Sequence, residues 1–398
     1  MSHISRPAAD GAPLALGMLA LVDAAPLVSA LHGGFFKAQG LEVALSVAPS
    51  WASLRDRLQS GALDGAQLLP LMPLAASLGL DGQATPLLSA LTLSRNGNAI
   101  TLSSALARRL TLAFGEAPGD DARARAMKSA RALANLINER RLNGEAPLRL
   151  ATVYPFSSHR YQLRYWLSSA GIDPDRDLDL RVMPPSAMVE QLATDRIDGY
   201  CVGAPWNDIA TRRGVGEIVA RGSAIWESAQ EKVFGVRREW QRAHPDTHQA
   251  LLRALLEACR WLDANPQNRR AAAHWLSDGG YLDAEPADIE TSLDPVHAEV
   301  IFHRGAANFP WRSQTAWYAA QMRRWGHLDI EPSRVEEEIE QVVRPDLYRE
   351  AAEALGLDVP IRDRRQEGGH GERWCVEGVH GEIEMLPDRF LDDALFKG

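Results

Sequence analysis

The chain has 398 residues, 45% of them hydrophobic and 24% charged, enough for two domains with cores of their own and ordinary for a globular protein in water. A formal net charge of −9 argues against non-specific binding to nucleic acid or an anionic membrane, so an anionic ligand has to be attracted locally. No run reaches ~18 uninterrupted apolar residues, which excludes a membrane-spanning helix.

In chain order, residues 14–21 predict a strand, a turn follows at 23–26, and a helix occupies 26–31. Residues 14–31 superficially resemble a signal peptide's apolar core, but Asp23 and Pro26 interrupt it and no cationic segment or cleavage site frames it. A strand at 41–47 leads to a helix from Trp51, with Ser50 as N-cap and Gly61 just beyond its end. The strand at 99–103 is placed to cross into a second lobe. Residues 115–122 read as a loop and 122–142 as a helix with Ala126, Ala130, Leu133 and Ile137 on one face. A strand at 148–153, a helix at 159–170 closed by Gly171, and a strand at 180–183 follow; near 233–236 the chain crosses back. Residues 246–345 are mostly helical, including 247–262 and 314–325, and the tail from Arg362 forms a surface extension.

One pattern occurs twice. Residues 58–65 (Leu-Gln-Ser-Gly-Ala-Leu-Asp-Gly) and 192–199 (Leu-Ala-Thr-Asp-Arg-Ile-Asp-Gly) each end a helix in a turn and enter an apolar strand through aliphatic-Asp-Gly. Each is preceded by a proline–serine loop, at Pro49-Ser50 and at Pro184-Pro185-Ser186. A unit used twice, with strands and helices alternating, predicts two similar α/β lobes with largely parallel sheets and a ligand cleft between them. The expected division is 13–102 plus 235–361 for lobe 1, 103–234 for lobe 2, and 362–398 for the extension. Loops at 23–26, 50–51, 157–159 and 185–186 join strand ends to helix starts, where unpaired N–H groups suit an anion.

Catalytic signals are weak. Gly199-Tyr-Cys201-Val-Gly203 matches a nucleophile elbow, but Pro205 disfavours the helix such an elbow starts, so Cys201 reads as a buried strand residue. His370-Gly-Glu372 and His380-Gly-Glu382 lack the helical spacing of a metal motif, and the chain has no P-loop, G-x-G-x-x-G or HExxH. Cys201, Cys259 and Cys375 show no metal spacing and suit a reducing compartment, which makes the cytoplasm the expected location. No cofactor, metal or enzyme activity is expected.

Several segments resemble the nitrate-binding proteins of ABC transporters: 23–28 (Asp-Ala-Ala-Pro-Leu-Val), 34–36, 50–56, 63–67, 203–207 (Gly-Ala-Pro-Trp-Asn), 307–313 (Ala-Asn-Phe-Pro-Trp-Arg-Ser), 321–326 and 387–390. The resemblance runs from about residue 14 to the C-terminus and implies an α/β, periplasmic-binding-protein-like type II fold. Without a leader, the chain is most similar to cytoplasmic nitrate/nitrite sensors of the NasS type, which hold an RNA-binding antiterminator (NasT type) inactive until the anion binds. The alternative is the solute-binding component of a nitrate/nitrite ABC transporter.

Carried over residue by residue, the resemblance implies a site of Trp51, a main-chain donor at about Ser53, Asn98 where the family has glutamine, His159, Pro184 or Pro185, and Lys232. Ala204 stands where the family has glutamate. An acidic residue replaces the lysine in a bicarbonate-binding branch, so Lys232 favours nitrate and nitrite. The residue types suit that ligand: nitrate is planar and weakly hydrated, Trp51 offers a face, His159 and Asn98 offer donors, and Lys232 offers one positive charge. Taken singly, each also has a plainer reading: Trp51 as core, Lys232 as a surface lysine and His159 as a helix-start residue.

Overall fold

The computed structural model describes residues 12–114, 121–294 and 299–397. Ten strands build the frame: β1 Leu14–Met18, β2 Val43–Val47, β3 Gly65–Leu68, β4 Leu87–Arg95, β5 Asn98–Ser103, β6 Leu148–Thr152, β7 Leu178–Val182, β8 Gly199–Gly203, β9 Gly216–Arg221 and β10 Gln230–Arg237. They form two five-stranded sheets, ordered β2-β1-β3-β10-β4 and β7-β6-β8-β5-β9. In each sheet four strands run the same way, and one, β10 or β5, runs against them and arrives from the other sheet. This is the expected two-lobed, periplasmic-binding-protein-like architecture.

The doubled pattern has the same physical job in both lobes. Asp64 N–H donates to the Ala15 carbonyl at 2.8 Å, and its carboxylate accepts from Ala15 N–H at 2.9 Å. Asp198 does the same with Arg149, at 2.7 Å in both directions. Each aspartate therefore fixes the start of the third strand against the first. The glycine that follows admits the crossing strand. A Cβ on Gly65 would lie 2.5 Å from the Phe234 ring, and one on Gly199 would lie 2.4 Å from the Leu102 side chain.

Helix starts follow the sequence closely. Ser50 Oγ accepts from Ser53 N–H at 3.2 Å at the head of helix Trp51–Gln59, and Ser157 Oγ accepts from Arg160 N–H at 3.1 Å at the head of Ser158–Ser169. Gly61 and Gly171, just past these helices, take φ of +80° and +77°, the left-handed geometry glycine adopts without strain. Helix Ala122–Leu142 buries the expected Ala126, Ala130, Leu133 and Ile137; most of the predicted 115–122 loop, residues 115–120, lies outside the described residues. The predicted 14–21 strand is shorter, because β1 ends at Met18 and a short 3-10 turn, Val22–Ala24, takes over.

Sheet membership refines the lobe boundaries. β5 joins the second sheet from Asn98, so the chain changes sheet at Asn96-Gly97, ahead of 102/103; the return lies before Gln230, ahead of 234/235. Lys232 therefore belongs to the first sheet. Helix Arg312–Arg324 is shared between lobes: Trp317, Tyr318 and Met322 pack in the second core, while Arg95 of β4 bonds Gln314.

The C-terminal extension is held by specific contacts. Phe390 is buried among Trp226, Trp317 and Tyr165, at ring-centre distances of 4.9, 5.1 and 5.8 Å. Leu391 N–H donates to Ile225 O at 2.8 Å, and buried Glu367 accepts from Ser313 Oγ at 2.7 Å.

Candidate anion site between the two lobes

Two pairs of equivalent loops face each other. The loop after β1 carries Asp23 and its counterpart after β6 carries His159; the loop after β2 carries Trp51 and its counterpart after β7 carries Pro184 and Pro185. The two crossing strands contribute Asn98 at the head of β5 and Lys232 near the head of β10. The lobes are drawn together here, with Val22 N–H donating to Ala204 O at 3.1 Å.

Lys232 is wholly buried. Its Nζ lies 2.8 Å from Asp23 Oδ2, 2.5 Å from Glu231 Oε1 and 5.6 Å from the Trp51 ring centre. Gln67 holds Asp23 in place, its Nε2 donating to Asp23 Oδ1 at 2.6 Å while its Oε1 accepts from Leu19 N–H. Across the cleft the Glu231 carboxylate accepts from Asn98 Nδ2, and its Oε1 lies 3.4 Å from His159 Nε2. A chain of polar groups thus runs from Gln67 in lobe 1 to Asn98 and His159 in lobe 2.

Burial pulls Lys232 down, but the carboxylates of Asp23 and Glu231 more than offset it and hold the ammonium above its usual range. Burial pushes Glu231 up to about 7, against the pull of Lys232. Burial, helped by the Lys232 charge, keeps His159 well below its usual value, so it serves as a neutral imidazole. Cys201 is buried in β8 with its thiol pushed well above the usual range by burial, the reverse of an activated nucleophile. Pro205, however, does not prevent a helix: one starts at Trp206, with Pro205 as its N-cap, where a missing N–H costs little. Burial, not proline, removes the hydrolase reading.

At the centre is Gly203. A Cβ there would come within 3.5 Å of Asp23 Oδ2, 3.6 Å of Asn98 Oδ1 and 3.6 Å of His159 Nε2. Asn98 Oδ1 and His159 Nε2 are buried without a hydrogen-bond partner, as is Trp51 Nε1. Buried polar atoms are nearly always satisfied, so unpartnered ones gathered beside Gly203, with Asp23 of lobe 1 opposite them, mark a place for a ligand.

Residues 8–277 match the NMT1-like family. The chain belongs to that family. It is similar to the nitrate import ATP-binding protein NrtC of Synechocystis sp., 39% identical over 86% of this chain and 50% of that one. It is also similar to the bicarbonate transport ATP-binding protein CmpC of Synechococcus elongatus, 36% identical over 92% of this chain and 53% of that one. The chain spans about half the length of these curated relatives. Among solved structures it superposes on the periplasmic nitrate-binding protein NrtA from Synechocystis PCC 6803 with a TM-score of 0.81, at 27% identity, covering 97% of this chain and 95% of that one.

Of the residues expected from the family resemblance, Trp51, Asn98, His159 and Lys232 come together. Ser53 and the prolines do not join them. The Ser53 N–H is taken by the Ser50 cap. Pro184 is exposed, its carbonyl accepting from Ala187 N–H at 3.1 Å; Pro185 is buried but has no N–H to offer. The one positive charge expected of Lys232 is present, but two carboxylates already balance it. Sequence reasoning passed over both acids, and Gln67 and Gly203 with them. Asp23, Gln67 and Gly203 stood in plain view in the family-like segments. Glu231 was hidden by strand alternation, which sends neighbours to opposite faces; register irregularities around Lys232 in β10 bring both side chains to one place.

Proposed function

We propose that this chain binds a planar monovalent oxyanion, nitrate or nitrite, between its two lobes and serves as the ligand-binding module of an anion importer. The observation that carries this is the gathering around Gly203 of the buried, unpartnered His159 Nε2 and the Asn98 amide, beside a buried lysine and a tryptophan face. The similarity to the NrtA structure over nearly the whole chain supports it. Lys232 is shared with two carboxylates, so each further negative charge in the site is poorly offset; sulfate brings two where nitrate brings one, and sulfate is expected not to bind. The relatives named for bicarbonate make that anion the rival ligand, and Lys232 favours nitrate over it. Calorimetric titration with nitrate, nitrite, bicarbonate and sulfate tests the reading: heat from the first two and none from sulfate is expected, whereas binding of bicarbonate alone would overturn it.

A second reading is regulatory. A relative named as an ATP-binding protein matches this chain over about half of its own length, so chains of this kind are not confined to free carriers. In this reading the chain is a cytoplasmic sensor that releases an RNA-binding antiterminator when the anion closes the lobes. Linkage then requires the partner to weaken anion binding by the factor with which the anion weakens the partner, about 5- to 150-fold for a typical coupling. Co-elution with the antiterminator without nitrate, and separation with it, is the expected result; equal nitrate affinity of the free chain and the complex would exclude it.

A further inference from the structure

We propose that Glu231 is a built-in competitor for the anion site, and that nitrate or nitrite binds with uptake of one proton by its carboxylate. This rests on the anion-binding reading above and names how the site is regulated. The geometry shows what the carboxylate does. It accepts from the Lys232 ammonium at 2.5 Å and from the Asn98 amide, and it lies against His159. Lys232, Asn98 and His159 are the groups an incoming anion needs; an internal anion already holds the first two and lies 3.4 Å from the third.

The orientation of Asn98 sharpens the point. While its Nδ2 donates to ionised Glu231, the atom it turns toward Gly203 is Oδ1, an acceptor, which repels an anion. Protonated Glu231 reverses this. It donates its own O–H to Asn98 Oδ1, the amide turns over, and Nδ2 faces the ligand. The proton comes from solvent, and the charge balances: a monovalent anion and a proton enter together as a neutral pair. Without that proton, Asp23, Glu231 and the ligand would set three negative charges against Lys232 in a site closed to water.

The groups facing Glu231 are Lys232 from its own strand, Asp23 from the Val22–Ala24 turn, Ser158 and His159 from the Ser158–Ser169 helix, Asn98 from β5, Cys201 from β8 and Tyr318 from the Arg312–Arg324 helix. His159 is held neutral by burial, and burial holds Cys201 and Tyr318 in their protonated forms. Glu231, at about 7, is the group poised to change charge near neutral pH.

The test is nitrate titration of the intact chain at pH 6, 7 and 8, each in two buffers of different ionisation enthalpy. The buffer dependence counts protons taken up. Close to one proton per nitrate is expected at pH 8, with affinity falling about tenfold per pH unit above 7. Glu231→Gln, which offers an amide donor to Asn98 at every pH, should bind nitrate about tenfold more tightly than wild type at pH 8, with no pH dependence and no proton uptake. Wild-type nitrate binding of equal strength at pH 6 and 8 without proton uptake overturns the inference while leaving the anion reading intact. Absence of nitrate binding at every pH overturns both. The wild-type proton count decides the matter even where the variant fails to fold.

Discussion

Asp64 and Asp198 stand at the same point of the two lobes and make the same two bonds to the neighbouring strand, yet the loops around the cleft that those strands position carry opposite chemistry. Lobe 1 presents an acid, Asp23, where lobe 2 presents a neutral imidazole, His159; lobe 1 presents an aromatic face, Trp51, where lobe 2 presents the Pro184-Pro185 turn. The lesson is a division of labour within one repeated unit. The Asp-Gly device, the caps and the strand order build the lobe, while the residues at the helix starts are free to differ because they face the cleft. The crossing strands then add what neither unit has, Asn98 and the Glu231–Lys232 pair.

The sharpest way to break this comparison is to remove the charge that holds the cleft. Lys232→Met should weaken nitrate binding on the order of 100-fold or more, because Asp23 and Glu231 lose their shared partner. Lys232→Glu should abolish binding, and the buried acids left unpaired should cost about 3–5 kcal/mol of stability. Calorimetry and thermal melts read the two effects, and retained nitrate binding in Lys232→Glu sinks the site assignment.

The two ends of one strand should separate folding from binding. In Gly199→Ala the new methyl meets Leu102 and, at 2.8 Å, the Thr101 carbonyl, so the variant should lose about 1–3 kcal/mol through overpacking while the cleft groups stay in place. In Gly203→Ala the methyl meets its neighbours at ordinary contact distances of 3.5–3.6 Å, so stability should barely change while ligand space is lost and affinity falls at least ~10-fold. A stability loss in Gly203→Ala equal to that of Gly199→Ala would falsify the idea that one glycine serves the fold and the other the site.

Asp64→Ala and Asp198→Ala test the equivalence of the lobes. Each should cost about 1.5–3 kcal/mol through loss of a charge-assisted bond to a strand N–H. Asp198→Ala should also change the acid limb of stability. Burial alone would raise Asp198, but its bonds to Arg149 hold it below the ordinary carboxylate range. A depressed folded value contributes stability that is complete above the unfolded value, near 3.9, and disappears as pH falls through the folded one. The melting difference between wild type and Asp198→Ala should therefore be full at pH 7 and shrink below about pH 4. A difference that stays constant with pH contradicts this.

The smallest effects belong to the caps. Ser50→Ala and Ser157→Ala should each cost about 1 kcal/mol, since each leaves one first-turn N–H without its acceptor. Ser50→Ala carries an added readout, because Ser50 precedes Trp51: fluorescence of that tryptophan should change even where the melting temperature hardly moves. An unchanged melt and an unchanged spectrum together would remove Ser50 from the account.

Much of this molecule was legible in one dimension because the relevant physics is local. Aliphatic-Asp-Gly announces a strand start in both lobes, Ser50 and Ser157 announce helix starts, and Gly61 and Gly171 announce helix ends, since each acts on atoms within a few residues of itself. The family-like segments put Trp51, Asn98, His159 and Lys232 on the site, and the fold does bring these four together. Three features needed the tertiary structure. The register irregularity in β10 placed Glu231 beside Lys232, against the alternation that governs a regular strand. The closeness of Asp23 to Lys232 depends on β1 and β10 flanking β3 in one sheet, a pairing across more than half the chain. The exposure of Pro184 follows from which faces the two lobes turn toward solvent. Sequence by itself determined the units and half of the residues in the cleft; only folding decided their charge balance, because that balance depends on distances between residues far apart along the chain and on the exclusion of water around them.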